Sequence, residues 1–393
     1  MTPAARHAAA ITIIDDVLRG APTERALTRW ARASRFAGAK DREAVRDIVF
    51  SGVRRMRSAA ALGGAKTGRG IVLGLLRVAG EDVEAIFSGQ GHAPPPLSPE
   101  EASAGQSPMR RPERLDYPDW MDSLLDRALG SDLERIMALH QQRAPVGLRV
   151  NLARGSRETA AQSLQRDGVE IEIAPHVATA LRVTSGAHVV SQSEAYQAGL
   201  IKIQDVGSQA GVALAAAHPG QRVLDFCAGG GGKALALSDA LGGLGDVTAH
   251  DAHAQRVRDL PARARRADAK ITVAPTLDAL DTHGYDLVFV DAPCSGSGTW
   301  RRGPDAKWGF TLERLAHLIA LQREILAQAQ GFVRPGGVLV YATCSILCQE
   351  NSEQVAAFTA AHKAFLLRDA LDLKPNTYAD GFFAARLEHT PQH

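Results

Sequence analysis

Apolar residues recur at helical spacing through the first ninety positions. Val45, Ile48, Val49, Gly52, Val53 and Met56 fall at i, i+3, i+4, i+7, i+8 and i+11, one apolar stripe along a helix. Ile11, Ile14, Val17 and Leu18 predict an earlier helix, and Leu27 with Trp30 mark another. Arg42, Arg46 and Arg57 lie off the stripe of the third helix. Between about 89 and 112 the pattern stops: Pro94, Pro95, Pro96, Pro99, Pro108 and Pro112 stand among small and polar residues, the composition of a linker. Mixed elements follow Tyr117. Helices are predicted over DWMDSLLDRAL, DLERIMALH and Arg157 to Arg166, and strands over GLRVN, VEIEI and ALRVT.

Beyond residue 200 the pattern becomes regular. Strand-like runs at 222–226 (RVLDF), 246–251 (DVTAHD), 271–274 (ITVA), 286–293 (DLVFVDAP) and 337–345 (GVLVYATCS) alternate with helix-sized segments. Near-continuous apolar strands separated by helices predict a parallel sheet covered on both faces. Ligands of such sheets sit beyond the carboxyl ends of the strands. The expected organisation is a helical domain at 1–90, a linker at 91–115, a small α/β module at 116–200 and a larger α/β domain at 201–393.

Composition adds exclusions. The chain has 393 residues, 45% hydrophobic and 22% charged, ordinary for a globular protein of more than one domain. No apolar run is long enough for a membrane span, and Asp15 and Asp16 follow the short N-terminal apolar stretch where a secretory signal needs a longer core. A cytoplasmic, monomeric protein without a membrane partner is expected. Cys227, Cys294, Cys344 and Cys348 show no paired metal-ligand spacing, so no metal is expected and the thiols read as free. Net charge is +2, yet residues 1–60 carry twelve Arg and Lys against six acids. Such an excess suits phosphates, and it equally suits a solvated Arg-rich helix surface.

The candidate chemistry gathers at strand ends. The first large-domain strand runs into Asp225-Phe-Cys-Ala-Gly-Gly-Gly-Gly-Lys233, where glycines let the backbone approach a ligand closely. This is not a P-loop, because Ala234 stands where a magnesium-binding hydroxyl is required. Asp251 ends the second strand, placed to accept bonds from ribose hydroxyls or to cap the following helix. The fourth strand leads to Asp291-Ala-Pro-Cys294 and the fifth to Thr343-Cys344-Ser345. As neighbours in the sheet, these strands bring both thiols to one cleft at the carboxyl ends, beside the Gly-rich turn. One strand-end Cys reads as a small buried residue; two so flanked read as chemistry.

The segments DFCAGGGGK, DAPCSGSGTWRRGPDAKW and GGVLVYATCSILCQEN closely resemble the motifs of the RNA cytosine-C5 methyltransferases, and KIQDVGSQ and DGFFAAR resemble the family's flanking segments. The resemblance covers about 115–390. DREAVRDIVFSGVRRM is similar to the NusB-like RNA-binding domain of the bacterial ribosomal-RNA branch. The resemblance implies a Rossmann-like class I methyltransferase domain using S-adenosylmethionine, preceded by an all-helical NusB-like domain and a small RRM-like α/β module. It implies RNA as partner, with small-subunit ribosomal RNA ahead of transfer RNA. Cofactor contacts carry over to Cys227, Ala228, Gly229, Gly230, Gly231, Gly232, Lys233, Asp251 and Asp291.

Carbon 5 of cytosine is a poor nucleophile until a thiolate adds at carbon 6 and turns the ring into an enamine. The resemblance assigns that thiolate to Cys344, help at N3 to Asp291, and breakdown of the adduct to Cys294. Lys233, at the end of the Gly-rich loop, is expected to lower a neighbouring thiol pKa. The target base must be unpaired or flipped out of its stack. The chain departs from the family's Cys-Ala-Ala-Pro-Gly-Gly-Lys-Thr loop at Gly229, Gly230 and Ala234. Pro275 stands where an Asp usually follows the third strand, with Asp278 a substitute. Cys227 is expected to pack against the sheet and Cys348 to be structural. The competing readings are a non-catalytic RNA-binding protein with a decayed cofactor pocket, and a dinucleotide oxidoreductase that leaves both strand-end cysteines unexplained.

Overall fold

The computed structural model describes residues 1–390, which fall into two compact units. One comprises Met1–Arg143 together with Trp300–Gly309, the other Ala144–Thr299 and Phe310 onward.

The first unit is built from helices. Its longer ones are Pro3–Leu18, Thr23–Ala33, Ala39–Arg54, Met56–Gly63 and Gly68–Ala79, and its core is formed by Ile13, Ile14, Val45, Val49, Val53, Ile71 and Leu73 among others. The stripe predicted from Val45 to Met56 is buried except for half-buried Ile48, but Met56 starts a new helix after a break at Arg55. The first helix buries Ala5, Ala10, Ile13 and Ile14, a face rotated from the predicted one; Ile11, Val17 and Leu18 lie at its margin. The proline-rich segment lies against Gly68–Ala79. There the Arg69 guanidinium pairs with Glu101, and Arg77 donates to the carbonyls of Leu62, Glu101 and Ala104. Residues 300–309 are fastened to the same helices. Asp305 accepts from the Thr23 amide at 2.7 Å and the Thr23 hydroxyl at 2.6 Å, and the Trp308 indole donates to Val53 O at 2.8 Å.

The second unit holds two sheets. The smaller is antiparallel, with strands β1 (Val146–Val150), β2 (Glu170–Ile173), β3 (Ala180–Ser185) and β4 (Ile201–Ile203) in the order β2-β3-β1-β4. The sequence pattern marks no strand at β4, which is only three residues long. The helix Arg157–Arg166 covers one face through Ala160 and Leu164.

The larger sheet contains β5 (Arg222–Asp225), β6 (Asp246–His250), β7 (Ile271–Ala274), β8 (Tyr285–Asp291), β9 (Val333–Thr343), β10 (Phe365–Leu373) and β11 (Phe382–His389), in the order β10-β11-β9-β8-β5-β6-β7. β5 to β9 are parallel; β10 and β11 add an antiparallel edge. Alternate side chains explain the continuous apolar runs. Leu287 and Phe289 of β8 join one core beneath the helices Val206–Leu214, Gly232–Ala240 and Leu260–Ala267, while Val288 and Val290 join the other beneath Leu312–Ala329 and Ser352–Ala361. β5 pairs with both β6 and β8, so chain order reverses beside its carboxyl end. That switch point is where ligands of open α/β sheets bind.

Candidate functional site

The loop after β5 is shaped by its glycines. Gly231 takes φ +74° as the residue before the helix Gly232–Ala240, and a Cβ there would meet Leu260 Cδ1 at 2.2 Å. The Ala228 amide donates to His250 O, and the Gly231 amide to Ala228 O, at 2.9 and 2.8 Å. Arg263 donates to Gly230 O from the neighbouring helix. A Cβ at Gly229 would meet nothing within 4 Å, so open space lies beside the turn.

Asp251, buried at the end of β6, accepts from the Gly229 amide at 2.9 Å and from the His253 amide at 2.8 Å. It thus ties the Gly-rich loop to β6 and closes the turn that follows. A carboxylate has about four lone-pair sites, so this leaves acceptor capacity for a ligand. Asp225, at the end of β5, is fully buried, and the nearest donor to its carboxylate is the Ala234 amide at the start of the following helix. Burial pushes its pKa up to about 7, with Asp291 and Asp251 adding to the rise and Lys233 opposing it.

Lys233 Nζ reaches Asp291 Oδ2 at 2.5 Å and lies 5.4 Å from the Phe382 ring centroid. Burial works against its charge, but Asp291 and Asp225 more than offset this and raise its pKa. The sequence suggests that Lys233 acts on a thiol. The structure gives its ammonium a carboxylate partner first, so the field it exerts on Cys344 is that of an ion pair rather than of a lone cation.

The two cysteines meet. β8 and β9 pair in register up to Asp291 and Ala342, and the loops beyond them bring Cys294 Sγ to 3.4 Å from Cys344 Sγ. Both are half-buried. Contact with Cys344 and then burial push the Cys294 thiol well above its usual range, so it stays protonated at neutral pH. The Gly298 amide donates to Cys344 O at 2.9 Å and Gly298 O accepts from the Gly381 amide at 3.0 Å. A Cβ on Gly298 would come within 2.6 Å of Gly381 O, so this close backbone approach requires glycine.

Other sequence candidates lie at the edge of this group or outside it. Cys227 packs against the core containing Phe226, and burial followed by the nearby carboxylates raises its pKa. Asp278 is exposed in the turn Leu277–Ala279 beyond β7, after Pro275 and Thr276. Cys348 begins the short turn Cys348–Glu350. Sequence reasoning misses Glu350 and the serines Ser295, Ser297 and Ser345, which form a buried polar network beneath the cysteine loops.

This cluster of groups suits a cationic, hydroxyl-bearing ligand. Asp291 and Asp225 act on one lysine and Asp251 lies near Asp225, so acids outnumber cations here, an arrangement that favours an ammonium, a sulfonium and ribose hydroxyls. A dinucleotide pyrophosphate would meet the same carboxylates as like charges. Fold and site together define a class I methyltransferase domain of the kind expected to use S-adenosylmethionine.

Comparison with known proteins is in accord. Residues 212–388 match the model of the 16S rRNA methyltransferase RsmB/F family, and residues 117–190 match the ferredoxin-like domain of RsmF/B-like methyltransferases. The ribosomal RNA small subunit methyltransferase B of Xylella fastidiosa strain 9a5c is 36% identical over 288 residues, 69% of this chain and 68% of that protein. The protein of the same name from Erwinia tasmaniensis is 34% identical over 285 residues, 69% of this chain and 66% of its own length. The chain therefore matches about two thirds of the length of these relatives. Among solved structures, PH0851 superposes with a TM-score of 0.78 at 22% identity, covering 99% of each chain. NSun6 from Pyrococcus horikoshii gives 0.61 at 17% identity, covering 70% of this chain and 99% of its own. The chain belongs to the RsmB/F methyltransferase family.

Proposed function

We propose that this protein methylates carbon 5 of a cytosine in RNA, with S-adenosylmethionine as methyl donor and Cys344 as covalent nucleophile. The observation that carries the reading is the pair of strand-end thiols in contact at 3.4 Å, beside the Lys233–Asp291 ion pair and the Gly-rich loop. Asp251 would hold the ribose hydroxyls, and Gly229, Gly230 and the buried Asp225 would line the rest of the cofactor's bed. When bound, the cofactor supplies a methyl group on a positively charged sulfur.

The chain's own residues account for the remaining steps. Cys344 Sγ, as thiolate, forms a bond to carbon 6 of the flipped-out base, and the displaced electron pair moves towards N3. N3 takes a proton held by the Asp291–Lys233 pair and gives it back when the adduct breaks down. Carbon 5, now nucleophilic, takes the methyl group. Loss of the carbon 5 proton to water then re-forms the double bond between carbons 5 and 6 and expels Cys344 Sγ as a thiolate. Cys294, protonated and touching Cys344, is placed to assist that last step.

Small-subunit ribosomal RNA is the proposed substrate, supported by the names of the relatives. RNA affinity is assigned to the helical unit, where Arg25, Arg32, Arg35 and Lys40 are exposed. The test offers purified protein and labelled S-adenosylmethionine to small-subunit ribosomal RNA and to transfer RNA, with bisulfite sequencing of the products. Conversion-resistant cytosine in the ribosomal RNA is expected. Label in transfer RNA alone would overturn the substrate, and no label in either RNA would overturn the activity.

A further inference from the structure

We propose that Glu350 is the positioning residue of the thiol pair: its buried carboxylate fastens the residue that follows each cysteine and so holds Cys294 and Cys344 in contact. This inference rests on the reading above only for its effect on the reaction.

The strand ladder cannot hold the thiols by itself. Its last bond joins the Ala292 amide to Ala342 O, so both cysteines lie on loops beyond the paired backbone. The Gly298 amide joins the two loops at Cys344 O, and the Ser297 hydroxyl meets that of Ser345 at 3.0 Å. Glu350 adds the link next to both cysteines. It is fully buried, and its carboxylate accepts from the Ser295 amide at 2.8 Å, the Ser295 hydroxyl, the Ser345 hydroxyl at 2.6 Å and Gln322 Nε2 at 3.1 Å. Ser295 follows Cys294 and Ser345 follows Cys344, so one carboxylate binds both loops. Gln322 also donates to Pro293 O at 2.9 Å, which anchors the residue before Cys294 to the helix Leu312–Ala329. The Tyr341 hydroxyl donates to Glu350 O at 2.6 Å, which fixes the turn carrying Glu350 against β9.

The chemistry favours a carboxylate here. Burying a charge is costly unless it is fully hydrogen-bonded, and four donors converge on this one. Charge-assisted bonds are shorter and stronger than neutral ones, and that strength is what fastening two loops to one point requires. The negative charge of Glu350 also disfavours a thiolate at Cys294, adding to the contact with Cys344 and to burial. The same group thereby sets where the two sulfurs stand and helps to keep the second one protonated.

The experiment compares the full-length protein with Glu350→Gln, which keeps the size but turns one acceptor into a donor facing donors. Oxidised glutathione reports on sulfur contact without any RNA. One cysteine thiolate displaces a glutathione to form a mixed disulfide, and the other thiolate displaces the second glutathione to close the Cys294–Cys344 bond. In Glu350→Gln, closure should slow at least about tenfold and kcat for RNA methylation should fall by about 100-fold, with cofactor affinity and KM for RNA within about twofold. If Glu350→Gln fails to fold, Ser295→Ala combined with Ser345→Ala removes two of the tethers and should show the same split. Closure as fast as in the wild type would overturn the proposal, even if methylation fell. A wild-type protein that closes the disulfide in a Glu350-dependent way yet methylates no RNA would uphold the positioning and sink only the reaction assigned to it.

Discussion

Lys202 stands opposite Arg149 across the β1–β4 pair, buried, with its ammonium lacking any acceptor. Burial first, then the nearby guanidiniums of Arg149, Arg263, Arg266 and Arg154, push its pKa down to about 6. In the unfolded chain a lysine titrates at about 10.4. Between those values the unfolded state binds the extra proton, so stability rises with pH from about 6 to about 10 and the penalty is complete below that window. Lys202→Met should add about 1–3 kcal/mol at neutral pH, the cost of an unsatisfied buried polar group, and flatten that slope. Urea unfolding across this pH range checks it; parallel curves for the two proteins would refute it. Asp251 offers a second test at this scale. Asp251→Ala should weaken S-adenosylmethionine binding by about 1–3 kcal/mol, and unchanged affinity by calorimetry would remove Asp251 from the cofactor site. The two cysteines could be found in the sequence because thiols at strand ends carry chemistry in their identity. Glu350 could not, because Ser, Gln and Glu near a turn read as solvated loop until burial shows that they converge.

Strands of the central sheet are visible as apolar runs because both of their faces are covered. β10 leaves no such mark: it is an edge strand with most of its residues exposed and no clean alternation. The helix break at Arg55 is hidden for a related reason, since Val53 and Met56 both face the core on either side of it. Charge along the N-terminal helices is more committed than the sequence suggests. Arg46 pairs with Glu24, Arg19 and Arg29 with Asp16, Arg6 with Asp41, and Arg54 is buried and donates to Arg301 O at 2.7 Å. The helix Thr23–Ala33 nevertheless presents exposed Arg25 and Arg32, with exposed Arg35 and Phe36 just past its end. Phe36, at 76% exposure, offers a ring on which an unpaired base can stack. Replacing both Arg25 and Arg32 by Glu should weaken RNA binding and reduce the salt slope by roughly 0.7–0.9 for each phosphate no longer neutralised. Anisotropy titrations at several salt concentrations measure this, and an unchanged slope would exclude the helix from the RNA surface.

At the scale of the whole chain, the order of segments hides part of the architecture. Residues 300–309 lie in sequence between the Cys294 loop and the helix Leu312–Ala329, yet they fold with the N-terminal helices through Asp305 and Trp308. No periodicity in so short a segment points to partners more than 250 positions away. The cofactor-side geometry is self-contained by contrast: the Gly-rich loop, three carboxylates, one lysine and two thiols all belong to the sheet-bearing unit. In the proposed reaction this site forms a covalent bond to RNA through Cys344 and uses Cys294 to leave it. The direct measurement incubates Cys344→Ser and Cys294→Ser separately with RNA and S-adenosylmethionine, then looks for protein–RNA adducts on denaturing gels and locates them by mass spectrometry. Cys294→Ser should accumulate an adduct attached at Cys344, and Cys344→Ser should form none because a hydroxyl is a far weaker nucleophile at neutral pH. An adduct in Cys344→Ser, attached at Cys294, would contradict the account.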